Sequence, residues 1–299
     1  MPMLDANRWM KCVAACVTAA IVLPSQAGPV LDRIAKGGNL YIGHRDSSVP
    51  FSYLDANGKP IGYAMDLCLA IADAVRKKTG SKSMKIDMVP VTSANRIQMV
   101  ADGKVDLECG STTNNAERRT KVSFAMPHFI TGARLMVRAD SKIERLEDMQ
   151  GKTLVSTKGS TPLKAVTAAN NDRLLKINII EAPDHQKAVE MVEGGAADAF
   201  AMDDVLLFGL RAARTKPEAL KIVGKFMTTE ALAIAIPKND PELKKIADET
   251  LRDMVYSKQM EAVYAKWFKA PIPPKNAVLN LPESYLLKEY WQFPTDQVP

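Results

Sequence analysis

The chain has 299 residues, 46% of them hydrophobic and 25% charged, and 40 Lys+Arg against 34 Asp+Glu give a formal net charge of +6. The basic excess is spread along the sequence with no Lys/Arg block and no interleaved aromatics, which excludes a nucleic-acid footprint. Beyond the N-terminus no segment is long and apolar enough to cross a membrane, and a mildly basic chain with room for two lobes of ordinary domain size suits anionic ligands.

Residues 1–27 read as a secretory signal peptide. Arg8 and Lys11 supply the basic stretch, Cys12 to Leu23 is almost wholly apolar, and Pro24-Ser25-Gln26-Ala27 puts small residues before a cut after Ala27. An apolar run of about a dozen residues is too short to span a bilayer, which takes about 20. Val13-Ala14-Ala15-Cys16 loosely matches a lipobox but would leave almost no apolar stretch after Lys11, so the lipoprotein reading is set aside. Cys12 and Cys16 leave with the signal, and Cys68 and Cys109 stay. In an oxidising compartment the two form a disulfide or remain separately buried thiols, and both readings stay open.

Short apolar strands then alternate with amphipathic helices, the pattern of an α/β fold. Asn39–His44 reads as a strand, Phe51–Tyr63 as a hairpin turning at Asp55-Ala56-Asn57-Gly58, and Met65–Lys78 as a helix stopped by Gly80. Strands at Met84–Val91 and Val105–Cys109 flank a helix around Arg96–Ala101, and Ala133–Val137 is a further strand. From Leu146 the scheme begins again. A polar connection runs to Lys152, and strands Thr153–Ser156, Ile177–Glu181 and Ala199–Met202 alternate with helices Leu163–Ala169, His185–Glu193 and Val205–Ala213. Leu220–Val223 and Ala231–Ile236 return as strands, and helices Glu242–Tyr256 and Met260–Phe268 end the body. Beyond Ala270, Pro271, Pro273, Pro274 and Pro282 predict an extended tail over 271–299.

An internal echo marks the two halves. Asp102-Gly103-Lys104-Val105-Asp106 leads into a strand that breaks at Cys109-Gly110-Ser111, and Gly194-Gly195-Ala196-Ala197-Asp198 leads into one that breaks at Asp203-Asp204. In each, a helix ends at glycine, an aspartate opens the strand, and polar residues follow it. Ligands of open α/β sheets bind at the carboxyl ends of strands, so two such ends facing each other make a cleft.

Enzyme signatures fail. Gly151-Lys152-Thr153 ends like a phosphate-binding loop, but Leu146 stands where that loop needs glycine. There is no Gly-x-Ser-x-Gly, Gly-x-Gly-x-x-Gly or His-Glu-x-x-His, and His44, His128 and His185 are far apart. No catalytic set, metal site or cofactor is expected.

Polar turns at strand ends are present instead. Arg45 follows the first strand, Ser93 and Arg96 stand where a strand passes into a helix, and Ser111, Thr113 and Arg118 follow Cys109. Arginine grips a carboxylate bidentately, and a helix start adds free N–H donors. In the second half Lys158-Gly159-Ser160-Thr161-Pro162 is another hydroxyl turn into a helix. Asp184 and His185 open the next helix, with Asp184 placed to cap it. Asp203 ends an apolar strand, where it pairs with an ammonium group or, like Asp204, caps the following helix.

Gly43-His44-Arg45-Asp46-Ser47-Ser48-Val49-Pro50-Phe51, Thr92-Ser93-Ala94-Asn95-Arg96-Ile97, Glu108-Cys109-Gly110-Ser111-Thr112-Thr113-Asn114-Asn115-Ala116-Glu117-Arg118 and Trp267-Phe268-Lys269-Ala270-Pro271-Ile272-Pro273-Pro274-Lys275-Asn276 resemble stretches of the extracytoplasmic amino-acid-binding proteins of ABC importers (solute-binding protein family 3), glutamate/aspartate-binding branch. The resemblance runs from about Gly38 to Asn276. Ser160 departs from it, since relatives often carry threonine there. It implies a two-lobed, type II-like periplasmic-binding-protein fold with the ligand cleft between lobes and two hinge crossings, near Ala133–Val137 and Ala231–Ile236. Lobe 1 would then be 28–133 with 237–270, and lobe 2 would be 134–236. It further implies a monomer, localised in the periplasm, that delivers glutamate or aspartate to ABC permease membrane subunits and catalyses nothing. Arg118 with Ser111 and Thr113 would hold the α-carboxylate and Asp203 the α-ammonium. Arg45, Ser93 and Arg96 would take the side-chain carboxylate, with His185 near them and Thr161 lining the site. Several cations and one anion would balance such a ligand. A sensory module and an exported dehydratase of the same fold are the alternatives.

Overall fold

The computed structural model describes residues 28–298, so the signal-peptide reading of residues 1–27 lies outside the described residues. Two five-stranded sheets carry the helices. The first runs in the order Ile86–Pro90, Leu40–His44, Leu107–Glu108, Ala235–Pro237, Val122–Phe124. Its first three strands are parallel, and Ala235–Pro237 is antiparallel to both of its neighbours. The second runs Asn178–Ala182, Thr153–Thr157, Ala199–Asp203, Ala133–Arg138, Leu220–Val223, with the same pattern of directions.

The echo read from the sequence is the third strand of each sheet. Just beyond the helices Arg96–Ala101 and His185–Glu193, Gly103 and Gly195 turn at φ +69° and +75°, a backbone glycine adopts without steric cost. Asp106 then accepts the backbone N–H of Tyr41 at 2.8 Å, and Asp198 that of Thr153 at 2.9 Å. Each aspartate satisfies a backbone donor at the entry of the neighbouring strand. That shared task explains why the same residue types recur at the same spacing.

One of the two crossings lies elsewhere than its apolar run suggests. Ala133–Arg138 sits wholly inside the second sheet. The run Ala231–Ile236 is not one strand: Glu230–Leu232 pairs with Phe129–Thr131, and Ala235–Pro237 belongs to the first sheet. This antiparallel ribbon, Phe129–Thr131 with Glu230–Leu232, links the two sheets. An apolar run reports burial but not the partner it pairs with. The first crossing therefore falls at Phe129–Thr131 rather than Ala133–Val137, while the second lies at the start of the run Ala231–Ile236. Phe129 anchors the ribbon, stacking on Tyr264 and Phe268 with ring centroids 6.0 and 5.1 Å away and meeting Phe51 edge-on at 5.1 Å.

Residues 271–299 are not an extended tail throughout. Ser284 accepts the N–H of Leu287 at 3.1 Å and starts a helix, Tyr285–Gln292, whose Leu287 is fully buried. No proline falls between Pro282 and Pro294, and there Leu287, Tyr290 and Trp291 recur at helical spacing and pack on the core. The stretch before it touches both halves: Tyr53 Oη donates to the Pro273 carbonyl and Lys275 Nζ to that of Ala213, each at 2.8 Å. Among the described residues no helix is long and apolar enough to cross a membrane.

Of the two readings left open for the cysteines, the structure has the disulfide. Cys68, on helix Tyr63–Thr79, is bonded to Cys109 with the Cα atoms 6.2 Å apart. The bond ties that helix to the loop that opens at Gly110. With the cysteines 41 positions apart in sequence, chain-entropy loss in the unfolded state is worth about 4 kcal/mol. The double variant Cys68→Ser/Cys109→Ser should lose roughly this much in urea unfolding, and an unchanged midpoint would show the bond to be dispensable.

Candidate ligand-binding site

Equivalent strands of the two sheets supply the polar residues. In the first, Arg45 follows Leu40–His44, its N–H donating to Ser52 Oγ at 2.9 Å. Ser93 and Arg96 follow Ile86–Pro90, and Ser111, Thr113 and Arg118 follow Leu107–Glu108. These strands are parallel neighbours, so their carboxyl ends open on one edge. In the second sheet Thr161 follows Thr153–Thr157, His185 follows Asn178–Ala182, and Asp203 ends Ala199–Asp203, again three parallel neighbours.

The two edges meet. Arg118 Nη1 donates to the Thr113 carbonyl at 2.9 Å, and its Nη2 reaches across to the Gly159 carbonyl at 3.2 Å. The Thr113 and Thr161 hydroxyls lie 3.1 Å apart, and Lys164 pairs with Glu117. Gly159, at φ +77°, packs so closely that a Cβ there would lie 2.7 Å from Ala94 Cα. Only glycine lets the halves approach this far.

Inside, the charges are buried and short of partners. Arg45 is 2% exposed, Arg96 3%, His185 1% and Asp203 3%. Arg45 Nη1, Ser93 Oγ, Arg96 Nε and Nη1, His185 Nε2 and Asp203 Oδ1 make no hydrogen bond among the described residues. Buried polar groups are ordinarily paired, and each exception calls for an explanation. Burial, then Arg96, pulls the Arg45 guanidinium down to about 9, and the same two causes bring Arg118 to about 10. Burial, then Arg45 and Arg96, holds His185 well below the usual imidazole range, so it is neutral and its Nδ1 pairs with Thr157 Oγ1 at 2.7 Å. Burial, then Glu230, raises Asp203 well above the usual carboxylate range. An anion at the arginines and a cation at Asp203 would each relieve a buried, unpaired charge.

All nine residues expected from the sequence lie on these two facing edges. The expectation of a single anion is wrong, however. Glu108 is fully buried and Glu230 is 3% exposed. Glu108 Oε1 lies 3.9 Å from Arg96 Nη1, and Thr161 Oγ1 donates to Glu230 at 2.9 Å. Glu108 was visible as a charge closing an apolar strand, between Leu107 and Cys109. Glu230 carries no signal, because its place follows from the ribbon. Asp184 is the helix cap, accepting the N–H of Lys187 at 2.8 Å. Asp203 makes no cap hydrogen bond, and Asp204 takes the Thr131 hydroxyl at 2.7 Å, which leaves Asp203 to the cleft.

The family described as bacterial extracellular solute-binding proteins, family 3, matches residues 40–270. The glutamate/aspartate import solute-binding protein of Salmonella typhimurium is 42% identical over 271 residues, 91% of this chain and 90% of that protein. The L-glutamate/L-aspartate-binding protein of Pseudomonas aeruginosa is 41% identical over 286 residues, 95% of this chain and 94% of that protein. Among solved structures, an ancestral amino acid-binding protein, precursor of cyclohexadienyl dehydratase, superposes with a TM-score of 0.68 at 32% identity, covering 80% of this chain and all (100%) of that one. An ancestral arginine-binding protein bound to arginine gives 0.69 at 28% identity, covering 77% of this chain and 98% of that one.

Proposed function

The chain belongs to the bacterial extracellular solute-binding proteins, family 3, and we propose that within it this protein captures L-glutamate or L-aspartate between its two halves and delivers it to an ABC importer. The observation that carries the reading is the set of buried groups without partners: Arg45, Ser93 and Arg96 on one edge, His185 and Asp203 on the other. Arg118 takes the α-carboxylate with Ser111 and Thr113, donors that every amino acid needs. Asp203 takes the α-ammonium, which returns its raised carboxyl to the charged form. Arg45, Ser93 and Arg96 take the side-chain carboxylate, and Thr161 joins Thr113 at the closure. His185, neutral and fixed through Nδ1 by Thr157, turns Nε2 to the same end.

Residues 1–27 direct export to the periplasm, and the protein acts there as a monomer, with the membrane subunits of the permease as its partner. Buried in the closed cleft, the charge-assisted hydrogen bonds to ligand are stronger than in water. No chemistry is done on the ligand. The partner of the His185 imidazole is a hydroxyl rather than a carboxylate that would stabilise its charged form.

Calorimetry of the ligand-stripped protein against the twenty amino acids tests this. Glutamate or aspartate should bind tightly and be recovered unchanged. Glutamine and asparagine should bind about a hundredfold or more weakly, because a neutral amide leaves Arg45 and Arg96 buried without a counter-charge. Equal binding of glutamate and glutamine would defeat the acidic-ligand reading and leave the fold untouched.

A further inference from the structure

Glu108 stands beneath the end of the cleft that carries Arg45 and Arg96. Its strand pairs with Gly43 on one side and Ala235 on the other, at the carboxyl edge of the sheet. Its side chain is fully buried and lies against the Cα of Gly110: a Cβ there would be 2.4 Å from Glu108 Oε1 and 3.0 Å from Arg45 Cγ. Thr112 Oγ1 donates to the other oxygen, Oε2, at 2.5 Å, which fixes the rotamer. Arg96 Nη1 is 3.9 Å from Oε1, beyond hydrogen-bonding distance. The carboxylate therefore offsets the charge of the arginines without occupying their donors. Among the described residues Arg96 Nε and Nη1 and Arg45 Nη1 have no hydrogen-bond partner.

We infer that Glu108 sets the charge this end of the cleft accepts: with Arg45 and Arg96 it leaves one net positive charge, so a singly charged group is taken and a doubly charged group refused. The inference rests on the proposed function and deepens it, since it names a specificity-determining residue that touches no ligand and acts through the two arginines. Two arginines alone would match a dianionic phosphate well. Glu108 makes them a monoanion site.

The test uses two ligands of glutamate's length with tetrahedral ends. L-homocysteate carries a sulfonate of charge −1, and L-phosphoserine a phosphate of about −2 at pH 8. Their shapes are close, so the ratio of their dissociation constants reports charge. The wild-type protein should favour homocysteate. Glu108→Gln should narrow the ratio by about tenfold or more, and Glu108→Asp, which keeps the charge, should leave it nearer the wild-type value. A loss of packing would weaken both ligands alike and leave the ratio unmoved. Should Glu108→Gln not fold by circular dichroism, Glu108→Met, neutral and of similar length, replaces it and should shift the ratio in the same direction. An unchanged ratio in a folded variant overturns the inference, and so does exclusion of both ligands at millimolar concentration by wild type and variant alike. Failure of the wild-type protein to bind glutamate in the same titration would instead overturn the proposed function.

Discussion

Arg118→Ala should weaken every amino-acid ligand by roughly 30- to 5000-fold, without reordering them. Removing one member of a buried, hydrogen-bonded charge pair costs about 2–5 kcal/mol, and the α-carboxylate is common to all amino acids. Arg118 has a second task, because its Nη2 bonds to the Gly159 carbonyl across the cleft. Its loss therefore also weakens closure, which pushes the expected effect toward the upper end of the range. Titrations of glutamate, aspartate and glutamine against the folded variant would check this. A variant that lost glutamate alone would put Arg118 at the wrong end of the ligand. Asp203→Asn is the internal control. It should weaken amino acids but relatively spare glutarate, which has two carboxylates and no ammonium.

Arg96→Gln should narrow the gap between glutamate and glutamine by about tenfold or more. The substitution removes a cation that an amide ligand leaves unpaired, and it supplies an amide that can hydrogen-bond another. It also strips Glu108 of the nearer of its counter-charges, since Oε1 lies 3.9 Å from Arg96 Nη1. The orphaned carboxylate then repels glutamate's side chain but not glutamine's, so glutamate loses more on two counts. The two dissociation constants, measured on the same folded protein, decide the matter. Equal proportional losses for Arg96→Gln and Arg118→Ala would mean that both residues line the cleft without the division of labour proposed.

Much of this architecture was legible in the chain. Helix and strand periodicities survive, and so do the helix Arg96–Ala101, with the bounds expected, and the strand Leu220–Val223. The reason is local: apolar spacing, caps and glycine stops act over a few residues, and one sequence is enough to read them. The site residues were legible for a related reason. Arg45, Arg96 and Arg118 each stand beside hydroxyls just after an apolar strand, and in an open α/β sheet that is the edge where ligands bind.

What only the tertiary structure decided is what depends on partners distant in sequence. The ribbon Phe129–Thr131 with Glu230–Leu232 joins segments about a hundred residues apart, and no local pattern states which apolar run crosses and which stays in a sheet. Glu230 reaches the cleft only because that ribbon forms. Glu108 could be seen as a charge in a strand, but its pairing with the arginines rests on the convergence of three strand ends. The Cys68–Cys109 bond is likewise a distance, 6.2 Å between Cα atoms, and spacing along the chain does not encode it. The sequence by itself determined which residues carry charge and which faces are apolar, because those are properties of side chains and their periodicity. The fold decided which charges share one low-dielectric cleft, because in that cleft a carboxylate's effect depends on distance and burial rather than on order along the chain.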